Sequence, residues 1–387
     1  MNVLFITAWY PHRYDSMAGL FVQKHAEAVS LYADVKVLYV HLDTTIKHHD
    51  IVVNQHNNVQ EIYVYYPGSE NKFFRKVINV IQFLIAYKKG FDWLKQAGWK
   101  ADSLHTNVLT GTPFIGFIRK IFTKTPYVIT EHWTKFLKVR NDFKGFGRKA
   151  FTKLVIKNAG YLMPVSVELL EGLEYHGLLL TKHKIIENVV DSCFYVQYPK
   201  EKKSNKKQIV NVTCFFEEQK NLFGLLRAVK KISEQRDDFE VLLIGVGKDF
   251  EMTKNYSLSL DLPENTIQFV GLKTSEEVAA IMQSANFVVQ FSNYESAGVV
   301  VEEALVSGRP IISTKVGLAP DFINDSNGLL VDVKNEKQLI DAISFILDNP
   351  GKYNSEEIKR EASKLFSYEH IGRKIVDIYY EVLNQKN

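Results

Sequence analysis

Short apolar runs alternate with amphipathic stretches along nearly the whole chain. The apolar runs predict buried strands at residues 2–7, 35–40, 61–65, 103–105, 127–130 and 161–164 in the first half, and at 208–214, 240–245, 266–270, 286–291, 310–313 and 328–331 in the second. The amphipathic stretches predict helices at residues 20–31, 112–122, 146–157, 222–234, 276–283, 299–306, 336–347, 355–364 and 370–382. Alternation of this kind indicates strand–helix–strand units and parallel sheets.

The chain is too long, at 387 residues, for one ordinary hydrophobic core. The segment 202–207 is polar, charged and without periodicity, and it is the clearest linker. We therefore predict an α/β protein of two Rossmann-like, doubly wound domains, at residues 1–190 and 191–365. Residues 366–387 are expected to form a helix that packs back on the N-terminal domain. Ligands of such sheets bind beyond the carboxyl ends of the strands.

Charge is distributed unevenly along the chain, whose net charge is +4. Residues 1–190 carry 24 Lys+Arg against 15 Asp+Glu, whereas the remainder is acidic. A basic half indicates an anionic partner, such as a phosphate-bearing acceptor or an anionic inner-membrane surface; a solvated face without a partner is the alternative. The apolar segment 72–89, bracketed by Lys and Arg, is either a membrane-surface helix or a helix packed on the sheet with a wide apolar face.

Several classes of protein are not expected from this composition. No apolar run reaches the ~18 residues that span a bilayer, and the N-terminus leads directly into a strand without a basic signal-peptide region. Cys193 and Cys214 form neither a disulfide framework nor a metal-ligand spacing, as in a protein of the reducing cytoplasm. We expect a cytoplasmic protein, peripheral to the inner membrane face at most, without a nucleic-acid partner.

The stretch 293–312 is the most informative part of the sequence. It lies between two predicted strands and contains a turn and a helix of about ten residues. Glu295 lies in the turn, Gly298 lies where the helix begins, and Glu303 lies in the helix. A helix start offers unpaired N–H groups that suit a phosphate. The alternative is a pair of solvated glutamates, and the neighbouring Glu302 is interpreted as exposed.

Glu295 and Glu303 match the Glu-x7-Glu motif of the retaining glycosyltransferases of family four, and the small residues 296–298 and Gly308-Arg309-Pro310 make the match more specific. The chain resembles this family, in order, over nearly its whole length. The resemblance implies the GT-B fold, in which two Rossmann-like domains face each other across a cleft.

Other loops carry the same resemblance, and it implies a role for each matched residue. Catalytic roles are implied for His132, Lys220 and Glu295. Donor binding is implied for Gly19, Lys220, Gly245, Gly247, Leu272, Glu295, Ser296, Ala297, Gly298, Val299 and Glu303. Acceptor binding is expected of Trp133, Lys138 and Arg140.

One position departs from the family pattern. The family has an Arg that clamps the donor diphosphate together with the matched Lys220, and here Phe215 stands in its place. More of the charge on the diphosphate is then left to Lys220. Arg309 and Lys315 are possible substitutes for the missing cation.

The resemblance implies a retaining hexosyltransferase of polysaccharide, capsule or glycan assembly. Its donor would be a nucleotide-diphosphate sugar, UDP-linked in preference to GDP-linked, and its acceptor a glycan or a lipid-linked diphosphate. No Asp-x-Asp occurs in the sequence, and the His48-His49-Asp50 run has no further ligands nearby, so neither a metal nor another cofactor is expected. The alternatives are a sugar-nucleotide epimerase and a catalytically silent sugar- or nucleotide-binding protein.

Overall fold

The computed structural model describes residues 1–71, 73–109, 111–198 and 206–384. The chain divides into two compact units. The first unit comprises Met1–Val165, Leu170–Val189 and Tyr368–Asn387, and the second comprises Ser166–Leu169 and Val190–Ser367. Each unit is built on one sheet.

The first sheet has seven strands in the order β3-β4-β2-β1-β5-β6-β7. Its strands are β1 (Asn2–Thr7), β2 (Asp34–Asp43), β3 (Asp50–His56), β4 (Val59–Pro67), β5 (Ser103–Asn107), β6 (Tyr127–Glu131) and β7 (Tyr161–Pro164). All neighbours are parallel except β3, which pairs with β4 in an antiparallel hairpin. The sequence prediction missed β3 because its residues are mostly polar and exposed, as an edge strand allows.

The second sheet has six strands, all parallel, in the order β10-β9-β8-β11-β12-β13. Its strands are β8 (Lys207–Val212), β9 (Phe239–Ile244), β10 (Ile267–Gly271), β11 (Phe287–Gln290), β12 (Ile311–Thr314) and β13 (Gly328–Val331). The prediction of two parallel-sheet α/β domains is confirmed, apart from β3. Of the predicted linker, residues 202–205 lie outside the described residues, and Lys207 already begins β8.

Fourteen α-helices lie within the described ranges, together with short 3-10 helices at Thr134–Phe136 and Ser192–Phe194. They are α1 (Leu20–Ser30), α2 (Arg75–Gln96), α3 (Thr112–Thr123), α4 (Phe146–Asn158), α5 (Val167–Tyr175), α6 (Glu217–Lys220), α7 (Leu222–Ser233), α8 (Phe250–Ser259), α9 (Ser275–Ser284), α10 (Val299–Val306), α11 (Ala319–Phe322), α12 (Glu336–Asp348), α13 (Ser355–Ser363) and α14 (Tyr368–Asn384). In these ranges no helix combines the length and apolarity needed to cross a membrane.

The C-terminal helix α14 is an integral part of the first unit. It packs against α1, where a Cβ added at Gly372 would lie 2.2 Å from the carbonyl oxygen of Ala28. The Tyr379 hydroxyl is 2.5 Å from Nδ1 of His105, a buried residue of β5. Glycine therefore permits close helix packing, and the helix contributes its apolar face to the core.

Candidate active site

The loop between β11 and α10 is shaped by close backbone approaches. Gly298 caps α10 in the left-handed conformation, with φ 84°. A Cβ there would lie 3.0 Å from Nε2 of Gln290 and 3.4 Å from Cγ of Glu295. Gly317, with φ 60°, lies against the carbonyl of Ala297, and a Cβ there would be 2.2 Å from that oxygen. The helix thus begins where predicted. The left-handed backbone favours glycine at both positions, and at Gly317 the backbone of Ala297 also leaves no room for a side chain.

Glu295 is buried in this loop, and its carboxylate is fully hydrogen-bonded. The Lys220 ammonium donates to Oε1 at 2.5 Å, and the Ser292 hydroxyl donates to the same oxygen at 2.7 Å. The Gln219 amide donates to Oε2 at 2.9 Å. These three donors satisfy both carboxylate oxygens, as a buried polar group requires.

Lys220 lies at the end of α6, the short helix that follows β8. Burial by itself lowers the pKa of its ammonium group, but the charge and hydrogen bond of Glu295 outweigh burial, so the pKa of Lys220 is raised. The lysine is therefore protonated at neutral pH. The ammonium and carboxylate groups thus form an ion pair in which the Glu295 side chain is 6% exposed and that of Lys220 is 14% exposed.

Backbone bonds hold α6 beside the β11 loop. The N–H of Asn293 donates to the carbonyl of Gln219 at 2.7 Å, and the Asn293 amide donates to the carbonyl of Glu218 at 2.9 Å. β8 and β11 are neighbouring parallel strands, so the loops after them meet at one edge of the sheet. That edge is where ligands of parallel sheets bind.

The remaining residues of the Glu-x7-Glu stretch lie around this pair. The carbonyl of Ser296 accepts the Ser166 hydroxyl at 2.5 Å, and that of Ala297 accepts the N–H of Leu318 at 2.7 Å. Val299 is partly exposed at the start of α10, and Glu303 is half-buried one turn later. Ala297 and Gly298 therefore lie close to Glu295, and Val299 and Glu303 follow them on α10.

The expectation that Glu302 is an exposed carboxylate is wrong. Its side chain is fully buried, because α10 packs against β11 and β12 on one side and against α13 on the other. An eight-residue helix enclosed in this way has almost no solvent face. Glu303, its neighbour, keeps partial access to solvent.

Phe215 points away from this site and into the core of the second unit. Its fully buried ring packs against Phe250, with centroids 4.7 Å apart, and near Phe269 at 6.0 Å. Its backbone supports the loop after β9: the carbonyl accepts the N–H of Asp249 at 2.9 Å, and a Cβ at Gly247 would lie 2.6 Å from the nitrogen and oxygen of Phe215. A charged side chain in that apolar pocket would be costly.

A cation that the sequence reading missed lies in the same loop. Gly245 and Gly247 follow β9, and the ammonium group of Lys248 lies 3.9 Å from the ring centroid of Phe216. Within the described part of the chain, no carboxylate lies at ion-pair distance from Lys248. The sequence feature that could have identified Lys248 is its position directly after the Gly-x-Gly that follows an apolar strand.

Of the two proposed substitutes for the missing arginine, Arg309 lies away from the site, whereas Lys315 lies at the same edge of the sheet as the site. The Arg309 guanidinium donates to the carbonyl of Ala285 at 3.0 Å. Ala285 directly precedes β11, so Arg309 lies at the amino edge of the sheet, opposite to the candidate site. Lys315 lies after β12 but forms an exposed ion pair with Asp332 at 2.7 Å. Leu272, one of the residues for which donor binding is implied, is exposed just after β10.

In the first unit, three predicted residues gather around Trp9 and Phe21. Gly19, with φ 63°, caps α1 so closely that a Cβ would lie 2.3 Å from the carbonyl oxygen of Trp9. The Trp9 ring meets the half-buried Trp133 edge to face, with centroids 5.7 Å apart. The His132 ring lies 4.4 Å from that of Phe21.

His132 is buried and electrically neutral. Burial, and then the proximity of His25 and His105, lower its pKa well below the usual value. Its Nε2 atom has no hydrogen-bond partner among the residues that the structure describes. This nitrogen is itself buried, so a ligand hydroxyl can bind it only after the side chains that cover it move aside.

Lys138 and Arg140, predicted to bind an acceptor, are engaged in ion pairs near the surface. Lys138 pairs with Glu171 at 3.2 Å, and Arg140 pairs with Asp142 at 2.6 Å. Such pairs are weak, and an anionic ligand can displace them. Across the described residues, no group of three or more His, Cys, Asp or Glu is arranged to hold a metal ion.

Comparisons with known proteins indicate the class to which the protein belongs. Residues 197–364 match the family model of glycosyl transferases group 1. Over 392 aligned residues, covering 99% of each chain, the protein is 26% identical to the uncharacterized glycosyltransferase MJ1178 of Methanocaldococcus jannaschii. It is 30% identical over 175 residues, 43% of this chain and 44% of the relative, to N-acetyl-alpha-D-glucosaminyl L-malate synthase of Bacillus anthracis.

Solved structures match over the whole chain. Sucrose-phosphate synthase from Thermosynechococcus elongatus superposes with a TM-score of 0.77 at 18% identity, covering all of both chains. Anabaena Alr3699/HepE in complex with UDP gives 0.75 at 15% identity, covering 98% of this chain and all of the other. The fold is therefore GT-B. The protein is a transferase of the glycosyltransferase class, and its second unit carries the group 1 match.

Glu131, the last residue of β6, orders the loop that carries His132 and Trp133. Its buried carboxylate accepts the N–H groups of Leu109 at 2.6 Å, His132 at 2.8 Å and Trp133 at 2.7 Å. Burial raises the pKa of Glu131 to about 7, and the three N–H donors offset this only in part. The folded protein therefore binds a proton at Glu131 more tightly than the unfolded chain does.

The contribution of Glu131 to the free energy of unfolding should consequently fall as the pH rises. Between the unfolded pKa of Glu131, about 4.5, and the folded value of about 7, this group costs up to about 3 kcal/mol of unfolding free energy. Glu131→Gln keeps an acceptor oxygen but does not titrate, so its urea-unfolding free energy should decline less between pH 5 and pH 7.5. Parallel pH profiles for the two proteins would contradict the raised pKa.

Proposed function

We propose that the protein is a retaining, metal-independent hexosyltransferase. It moves a sugar from a nucleotide-diphosphate donor, UDP-linked in preference to GDP-linked, to a glycan or a lipid-linked diphosphate acceptor in polysaccharide or glycan assembly. The observation that carries this proposal is the buried Lys220–Glu295 pair beside the N-terminus of α10. Support for a uridine donor comes from HepE, a protein of the same fold whose solved structures hold UDP and UDP-glucose.

The pair supplies a cation for the diphosphate of such a donor and an anion for the hydroxyl groups of its sugar. In the free protein, Lys220 and Glu295 satisfy each other. When donor binds, the ammonium group turns to the diphosphate and the carboxylate accepts hydrogen bonds from hydroxyls of the transferring sugar. The N–H groups at Gly298 and Val299 add the partial positive charge of the helix start, and Glu303 accepts the ribose hydroxyls.

Transfer then exchanges one bond at the anomeric carbon for another. The acceptor hydroxyl attacks from the face on which the diphosphate leaves. The bond from the anomeric carbon to the acceptor oxygen forms as the bond to the phosphate oxygen breaks, and the acceptor proton passes to the departing diphosphate. Lys220 stabilises the charge that develops on this leaving group.

The first unit contributes the groups that contact hydroxyls and the acceptor. His132 is neutral, and its buried Nε2 is unsatisfied, so it can hydrogen-bond a sugar hydroxyl once donor binding moves the covering side chains. Trp133 offers an apolar ring for a sugar face. The N–H of Gly19 approaches the donor, and Lys138 and Arg140 bind an anionic acceptor.

Product analysis with a panel of UDP- and GDP-sugars tests the function. We expect hydrolysis or transfer from at least one UDP-sugar, with unchanged rate in excess EDTA and with the anomeric configuration retained in the product. A free isomerised sugar nucleotide would identify an epimerase. Binding of donor without any turnover, with or without candidate acceptors, would refute transfer.

Substitutions at the ion pair should separate catalysis from stability. Lys220→Ala and Glu295→Gln should each lower kcat by about 10²–10³-fold, since each removes one charge from the reacting centre. Lys220→Ala should also lower the unfolding free energy by about 3 kcal/mol or more, because it leaves a buried carboxylate without its cation. Lys220→Met with Glu295→Gln restores neutrality and should recover stability without activity.

The matched control is Lys231→Ala. Lys231 forms an exposed pair with Glu234 on α7, in the same unit, so its loss should leave kcat and stability almost unchanged. Near-wild-type turnover by either single variant at the buried pair would refute its assigned role.

Lys248 supplies the net positive charge that the neutral pair lacks. A diphosphate carries at least two negative charges, and one of the two buried side chains is already an anion. The backbone bonds between the Phe215 segment and the loop fix Lys248 at the carboxyl edge of the sheet, and the Phe216 ring holds its ammonium group. We assign Lys248 to the donor diphosphate.

Lys248→Gln should weaken binding of UDP about fivefold, as expected for one partly solvated charge contact of ~1 kcal/mol. The affinity for uridine, which has no phosphate, should not change. Lys254→Gln, an exposed lysine of the following helix α8, is the matched control. Equal UDP affinities for the two variants, measured by calorimetry at low salt, would remove Lys248 from the site.

A further inference from the structure

An uncovered apolar row runs along the first half of α2. Its members recur every three or four residues, so they lie on one side of the helix. The row consists of Phe73, Phe74, Val77, Val80, Ile81 and Leu84. All six are exposed, and Phe73 is 94% exposed. The expectation that this segment packs its apolar residues against the sheet therefore holds only for its second half, where Ala86 and Tyr87 are buried.

A second group of exposed apolar side chains lies on α4. Phe146, 91% exposed, begins the helix, and Phe151 and Leu154 follow one and two turns later. Apolar groups of this size are normally buried. Their exposure on two helices of the same unit indicates a surface that binds a membrane or another protein.

The two helices belong to one continuous layer, with α3 between them. Phe83 of α2 lies 3.8 Å from where a Cβ at Gly111, the residue that caps α3, would be. The guanidinium of Arg119, on α3, lies 4.3 Å from the ring centroid of Phe91, on α2. On the other side, the rings of Phe114 on α3 and Phe151 on α4 are 5.1 Å apart.

Charge on this layer is almost all positive. Residues 73–158 contain 17 Lys+Arg and only four Asp+Glu, and one of those four, Glu131, is buried. Arg75 and Lys76 lie within the apolar row, between Phe74 and Val77, and Lys88 and Lys89 follow it. On α4, the exposed aromatic residues alternate with Arg148, Lys149, Lys153 and Lys157.

We propose that α2 and α4 form a docking face for the surface of an anionic lipid bilayer. Phenylalanine and aliphatic side chains enter the acyl boundary, while the lysine and arginine stems lie alongside and place their charges among the lipid phosphates. A protein partner fits this face less well, because lysine is depleted in protein interfaces. The helices lie on the membrane and do not cross it. This proposal does not depend on transfer activity.

Flotation of the full chain with lipid vesicles tests the docking face. Binding is expected to vesicles that contain phosphatidylglycerol and not to pure phosphatidylcholine vesicles, and it should weaken as salt is added. The charge variant Arg148→Gln, Lys149→Gln, Lys153→Gln should lower the partition coefficient about fivefold per cation removed. The apolar variant Phe74→Ser, Val77→Ser, Ile81→Ser should lower it at least about tenfold.

The control is Leu258→Ser, which removes an equally exposed apolar side chain from α8 in the second unit and should bind vesicles like the wild type. All changed residues are exposed, so thermal melts of the variants should match that of the wild type. Absence of vesicle binding by the wild type at low salt would overturn the proposal. It would equally be overturned if light scattering showed that the apolar variant dissociates a dimer, since a second copy would then cover the face.

Discussion

The buried contact between Lys220 and Glu295 constrains the whole carboxyl edge of the second sheet. It joins the segment after β8 to the segment after β11, and hydrogen bonds from Gln219, Ser292 and Asn293 extend the junction along both loops. An ion pair excluded from water is stable only when such additional donors complete it. The positions of these two loops in the candidate site are therefore set by the hydrogen bonds and the opposite charge that Glu295 and Lys220 require.

The regular elements around this junction could be predicted from the sequence. The apolar run before residue 291, the small residues at 296–298 and the apolar run after Pro310 define β11, the start of α10 and β12, and the structure places all three there. Hydrophobic periodicity succeeds here because parallel strands buried on both faces are nearly continuous apolar runs. It fails for β3, whose edge position allows polar residues, and for Glu302, since eight residues are too few to assign the buried side of a helix.

The contacts that make the site could not be predicted in the same way. Lys220 and Glu295 are 75 positions apart, and nothing in either local pattern says that they touch. In the sequence, Phe215 stands where the family has a diphosphate-binding arginine. In the structure, its side chain packs in the aromatic core beneath the loop. Lys248 follows a Gly-x-Gly that the sequence shows, but its position beside the Lys220 segment depends on the strand order, in which β9 is the neighbour of β8. Pairwise geometry of this kind depends on topology, which a single sequence encodes only indirectly.

The chain crosses between its two units more than once, and the last crossing precedes α14. The helix whose Tyr379 meets His105 is thus encoded almost at the end of the sequence, although its partner strand lies in the first third. During synthesis, the second unit has left the ribosome complete before the first unit can acquire its final helix. The apolar surface of the first unit that α14 covers therefore stays open to water until Tyr368–Asn384 has been synthesised. This order of emergence gives the nascent chain a long interval in which chaperones can recognise that surface.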